Sequence, residues 1–153
     1  MSIPRNLLAG LGGAIALNIL HESLKKKSKN MPRVDRLGEE AVQKALNAAG
    51  TGIEDEANLY LATLASDVIS NGLYYSAIGY GNPKYTWIKA IALGITGGAG
   101  AIGLPGPLGL DPTPVTKSNT TKSLTIGYYL FGALVTAAIL KSMEKQGRRT
   151  GSR

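Results

Sequence analysis

The sequence predicts an all-α, polytopic integral membrane protein, and three observations carry that prediction. Apolar residues gather into four blocks of spanning length, glycines concentrate inside two of them, and tyrosines and the tryptophan collect near block edges. A mean hydropathy of +0.03 conceals this segregation, because the blocks alternate with charged connectors. The 153 residues suit a single membrane domain. A bilayer-spanning helix needs about 17–25 predominantly apolar residues, and its backbone groups must be satisfied within the segment. Residues 6–24, 58–80, 86–104 and 123–141 meet that length. The competing reading, a soluble glycine-rich four-helix bundle, needs a polar face on every helix, and Leu124–Leu140 offers none.

The first span, 6–24, ends abruptly at Lys25-Lys26-Lys27-Ser28-Lys29. Lys25, Lys26, Lys27 and Lys29 form either a solvated flank or a contact for anionic headgroups. Residues 33–48 then read as an amphipathic helix, with Val34, Leu37, Ala41, Ala45 and Ala48 on one face and a Glu40–Lys44 pair four residues apart. Its weak apolar stripe suits the membrane interface, a partner, or the rest of its own chain. Ala49-Gly50-Thr51-Gly52 stops it, and Glu54-Asp55-Glu56 opens the second span where the helix dipole favours acids. Gly81-Asn82-Pro83-Lys84, flanked by Tyr80, Tyr85 and Trp87, predicts a tight antiparallel hairpin between the second and third spans. The loop 105–122 opens with Leu104-Pro105-Gly106-Pro107, which cannot continue a helix, and is expected on the membrane surface or in a partner's groove. Asn119-Thr120-Thr121 matches a glycosylation acceptor too common to carry weight. The fourth span is followed by a basic tail, 142–153. The N-terminus shows no small-residue cleavage pattern of a removable signal peptide.

The glycines fit close helix packing better than water. Each would cost about 1 kcal/mol relative to alanine inside a soluble helix, whereas small residues let helix backbones approach in lipid. Gly12-x-x-x-Ala16, Gly94-x-x-x-Gly98 and Ala99-x-x-x-Gly103 are the candidate packing patterns, with a glycine-lined pore as the alternative.

Polar residues inside the spans form the candidate site. Thr63, Asp67, Ser70, Asn71 and Tyr74 share a face of the second span, and Asn18, His21, Glu22 and Lys25 share a face of the first. Asp67 lies nine residues beyond Asn58, about 13 Å along a helix, and Asn18 lies six residues before Leu24, about 9 Å. In antiparallel helices they reach similar depth. A carboxylate there costs about 2.5–3.5 kcal/mol facing lipid and must be paired, bonded or wetted. Three readings follow: a structural lock in which Asp67 accepts bonds from Asn18, Ser70 or Asn71; a proton or cation path through Asp67, His21 and Glu22; or a catalytic or metal centre.

Composition excludes several classes. Without cysteine there is no disulfide scaffold, thiolate metal site or thiol nucleophile, and a single histidine excludes multi-histidine sites within one chain. No phosphate loop, serine elbow or zinc-protease motif is present, so no catalytic residue and no cofactor is predicted. The net charge of +7 comes from residues flanking the spans, which argues against nucleic acid. Those 17 basic residues divide nine to eight between the two sides of the four-span arrangement, so the positive-inside bias leaves sidedness undecided. An odd span count, basic stretches engaged by a partner, or insertion in both orientations would each account for the balance. The expected function is a small accessory or scaffold subunit, set among membrane lipids and other integral subunits in a hetero-complex, in a bacterial inner membrane. The alternative is a homo-oligomeric ion- or proton-coupled transporter or channel using Asp67, and a membrane enzyme has only His21, Glu22 and Asp67 behind it.

Overall fold

A computed structural model of the chain describes residues 2–150, with side chains through Gly147. Arg153 of the basic tail lies outside the described residues, as do the Arg148 and Arg149 side chains. Six helices follow in order: α1 (Ile3–Leu24), α2 (Val34–Ala48), α3 (Glu56–Ser76), α4 (Thr86–Gly103), α5 (Thr113–Thr116) and α6 (Asn119–Thr150). Single 3-10 turns, Ala77–Gly79 and Pro83–Tyr85, join α3 to α4.

Local chemistry explains the boundaries. α1 carries Pro4 in its first turn, where a missing N–H removes no helical bond. Asp55 caps α3 by accepting the Asn58 amide at 2.8 Å. The expected hairpin forms: Gly81 takes φ +77°, and the Asn82 side chain accepts the Lys84 amide at 2.9 Å. The second span was expected to run to residue 80, but α3 ends at Ser76 because the chain tightens over Ala77–Gly79 before that turn. α6 is longer than the expected 123–141 segment. Its polar start is helical, with Ser118 Oγ accepting the Thr121 amide at 3.0 Å and Thr125 donating to the Thr121 carbonyl at 2.9 Å. The loop 105–122 is correspondingly shorter and contains α5.

α1, α3, α4 and α6 form an up-down-up-down bundle in which α1 packs on α3 and α6, and α6 packs on α4. Its core is Ala-rich (Ala9, Ala14, Ala90, Ala133, Ala137), filled out by Leu17, Tyr75, Ile78 and Leu140. Helix axes approach closely because glycines remove the side chains between them. A Cβ on Gly94 would lie 2.7 Å from Leu130 Cα, and one on Gly98 would lie 2.5 Å from Ile126 Cα. Gly12 rests against the Ile139 side chain, and Ala16 is half-buried. The third predicted pattern is not a packing face: Ala99 is exposed, and a Cβ on Gly103 would meet nothing within 4 Å. The closest approaches of α1 instead use Gly10, against Gly72 and Ser76, and Gly13, against Gly132 and Thr136.

Two helices, α1 and α6 through Gly147, are long and apolar enough to cross a membrane by length and composition. α3 and α4 do not meet that measure, so the four-span expectation is not supported by it. α3 carries Asp67, Asn58 and Asn71, and α4 has only 18 residues, five of them glycine, with Lys89 among them.

α2 packs on α3, one of the three surfaces its weak apolar stripe suits. Val34 and Leu37 join Val115 and Leu110 in a second small core. The proline-rich segment is held there too, with Leu108 left exposed. Lys44 Nζ donates to the Leu108 and Gly109 carbonyls at 2.9 Å, and Glu40 accepts the Asp111 amide at 3.0 Å.

Packing density fixes the expected behaviour of the α4 glycines. Gly98→Leu is expected to destabilise the bundle by roughly 1–3 kcal/mol through overpacking against α6, whereas Gly103→Ala is expected to stay within about 0.5 kcal/mol of the parent. Unfolding in a mild detergent measures both; equal midpoints would contradict backbone contact at Gly98.

Candidate functional site

The polar residues of α1 and α3 meet the N-terminal turn of α2 at one end of the bundle. Antiparallel packing of α1 and α3 brings Asn18, His21 and Glu22 alongside Tyr60, Thr63 and Asp67, as depth counting suggested for Asn18 and Asp67. α2 borders the third side with Asp35, and all seven line one small, partly open cavity of about 10 Å³. Gly38 makes the closure possible, since a Cβ there would sit 2.6 Å from Thr63 Cγ2 and 3.8 Å from both Asp67 carboxylate oxygens.

An ion cluster borders the cavity. Arg33 grips Asp35 with Nη2 at 2.7 Å and Nε at 2.9 Å, a two-point contact suited to the guanidinium fork. Lys25 Nζ lies 2.8 Å from Glu22 Oε2 and 3.3 Å from Asp35 Oδ2, and 4.9 Å from the centre of the Tyr60 ring. Lys25 is thus an internal bridge between α1 and α2, while Lys26, Lys27 and Lys29 of the same run are exposed. His21 sits between Glu22 Oε1, 3.4 Å from Nδ1, and Asp35 Oδ1, 3.5 Å from Nε2, with Tyr128 edge-on to its ring. Burial pushes the Asp35 carboxyl up, but the Arg33 and Lys25 cations outweigh burial and bring it down to about 2. Burial likewise pushes the Lys25 ammonium down, and its bonds to Glu22 and proximity to Asp35 leave it above its ordinary value.

The predicted lock on Asp67 does not form. Asn18 Nδ2 donates to the Ala14 carbonyl at 3.0 Å, and Ser70 Oγ donates to the backbone carbonyl of Asp67, not its carboxylate, at 3.4 Å. Ser70 and Asn71 instead open onto a separate apolar groove of about 390 Å³ between α3, α4 and the proline-rich turn, shared with Tyr74, Gly97, Leu104 and Tyr129. Tyr74 crosses to α4 there, bonding the Leu93 carbonyl at 2.8 Å and Thr96 Oγ1 at 2.9 Å. The polar stripe of α3 therefore serves two places.

Sequence reasoning missed Arg33, Asp35 and Gly38. The available signal was a glycine inside an otherwise regular amphipathic helix, which marks a close approach, with an Arg-x-Asp pair at its start. It also missed Asn6, fully buried with neither side-chain amide atom bonded. Chemically, the cluster can hold charge and a proton. Among the described residues no three histidine, aspartate or glutamate side chains are arranged to hold a metal ion.

No protein-family model matches the chain, and no curated protein or solved structure is similar to it.

Asp35→Ala is expected to cost about 2–3 kcal/mol, less than a fully buried pair because Arg33 remains a quarter exposed. The Asp35 carboxyl sits below its ordinary 3.8, so its contribution is complete above about pH 4 and fades as pH falls toward 2. Unfolding of parent and variant across that range measures it. A difference that does not shrink on acidification would contradict the ionic role.

Proposed function

We propose that the chain is a membrane-embedded bundle of four helices that acts as an accessory or scaffold subunit within a larger membrane assembly. The supporting observation is an inverted distribution of polarity. Ile15 and Ile19 of α1, Leu61, Ile69 and Leu73 of α3, and Ile88, Ile91 and Ile95 of α4 are exposed, several by about 60%. The interior holds Asn6, Thr86, Thr121, Thr125 and Thr136, each at 0% exposure. Water would favour the reverse, whereas lipid tails accept the apolar exterior and leave packing and hydrogen bonds to hold the bundle. On this reading α3 and α4 also span the bilayer, because their polar residues and glycines turn inward. Their modest overall hydropathy comes from the buried side.

The scaffold role draws on the apolar groove beside Tyr74 and Leu104, a lateral recess suited to an apolar segment of another integral subunit. No nucleophile–base pair accompanies it. The transport reading draws on Asp67, beside a cavity with room for about one water.

Mild extraction from native membranes, followed by particle mass and identification of stoichiometric chains, tests the proposal. A particle much heavier than 16.0 kDa that contains other integral subunits is expected. A homo-oligomer of this chain alone would overturn the accessory reading, and release into the aqueous fraction at alkaline pH would overturn membrane embedding.

A further inference from the structure

We propose that the cavity between α1, α2 and α3 is a proton-binding site, in which one water links His21 Nε2, the Thr63 hydroxyl and the Asp67 carboxylate. This inference rests on neither the accessory nor the transport reading. Two independent observations carry it. His21 Nε2 and Thr63 Oγ1 are both buried atoms without a hydrogen-bond partner, on residues only 3% and 2% exposed, and both residues line the cavity. Such atoms are costly unless satisfied, by about 1–3 kcal/mol each. The cavity, about 10 Å³, is at the size that admits a single water, and a buried water makes 2–4 hydrogen bonds. Imidazole nitrogen, hydroxyl and carboxylate supply three. The Asp67 carboxylate has no hydrogen bond among the described residues, so it too can take one.

Charge balance supplies the proton. The groups facing the cluster are Glu22 and His21 from α1, with Lys25 at its end; Arg33 at the start of α2, with Asp35 and, on the outer side of Arg33, Glu39; Tyr60 and Asp67 from α3; and Tyr128 and Tyr129 from α6. The carboxylates of Glu22 and Asp35 are offset by the cations of Lys25 and Arg33. His21 and Asp67 remain. With one proton between them the cluster is neutral overall; with none or two it carries a net charge that burial penalises. The proton resides either on an Asp67 oxygen beside a neutral imidazole, or on Nε2, where the Asp35 carboxylate 3.5 Å away favours the imidazolium. Moving from carboxyl to imidazole through the water, it leaves the O–H bond of Asp67 and forms the N–H bond of His21, with no net change in charge. Thr63 does not exchange the proton. Its hydroxyl positions the water.

The chain has a single histidine, so nitrogen-15 labelling of histidine in the full protein, in detergent or lipid, reports this site alone. The expected result is a magnetisation-transfer signal between Nε2–H and water, or a water-dependent Nε2 shift, that persists at neutral pH. Asp67→Asn is expected to shift the Nε2 resonance while Nδ1, which faces Glu22, moves less. Thr63→Val is expected to remove the water signal and Thr63→Ser to restore it, with Ser70→Ala, which faces the other groove, as the unchanged control. Circular dichroism and thermal unfolding establish that each variant is folded. No water contact at Nε2 in the unsubstituted protein would overturn the proposal without recourse to any variant. An Nε2 resonance indifferent to both Asp67→Asn and Thr63→Val would overturn it as well.

Discussion

Backbone-to-backbone contact is the constraint on which the remaining structure depends. α1 meets α3 at Gly10 and Gly72, meets α6 at Gly13 and Gly132, and α6 meets α4 at Gly94 and Gly98. Three helix pairs thus converge through absent side chains. With the axes this close there is little interior volume to fill, and alanine and threonine suffice for most of it. Of the buried threonines of α6, Thr125 and Thr136 return their hydroxyls to their own helix, Thr125 also reaches the Val115 carbonyl of α5, and Thr121 donates to the Asn30 carbonyl. Apolar bulk displaced from the interior appears on the outside. One geometric choice therefore accounts for the thin core, the polar interior and the apolar surface together.

The end bearing His21 follows from the same approach. Once α1 and α3 are in contact along Gly10 and Gly72, their polar ends are forced to the same level, and Gly38 lets α2 settle across them. Asp35 then has three cations or potential cations around it, and its carboxylate becomes the hub that joins α1 to α2. The hydrophobic contribution of α2 is small, Val34 and Leu37 against Val115, so its position is fixed largely by ionic and hydrogen-bonded contacts to α1 and to the proline-rich turn.

Much of this was legible in the sequence where a local signal had one meaning. Gly81-Asn82-Pro83 specified a turn, the apolar stripe placed α2 within one residue of its observed start, and residue counting put Asn18 and Asp67 at one level. Signals that depend on neighbours were not legible. Ala99-x-x-x-Gly103 has the same spacing as Gly94-x-x-x-Gly98, but by residue 103 α6 is out of reach. Ser70 and Asn71 lie on the face of Asp67, yet one turn further along α3 the neighbours become α4 and the proline-rich turn. Lys25 followed a span and continued a lysine run, and only the arrival of Asp35 from another helix distinguishes it from Lys26 and Lys27. The fate of α2 itself was open because its alanine-rich stripe is compatible with several surfaces.

The two ends of the bundle are fastened by different chemistry. At the end opposite His21, Arg5 Nη2 reaches the Leu140 carbonyl at 3.1 Å, Lys141 Nζ reaches the Pro83 carbonyl at 2.7 Å, and Lys89 bonds the Tyr80 carbonyl. These ties between elements end on peptide oxygens, which have no proton to gain in ordinary acid. At the His21 end the ties from α1 to α2 terminate on carboxylates, while Lys44 and the Arg33 amide tie α2 to peptide oxygens of the proline-rich segment. Acidification therefore acts on the molecule directionally: it loosens the seam between α1 and α2, while α2 keeps its hold on the proline-rich segment and the hairpin of α3 and α4 stays stitched to the far end of α6.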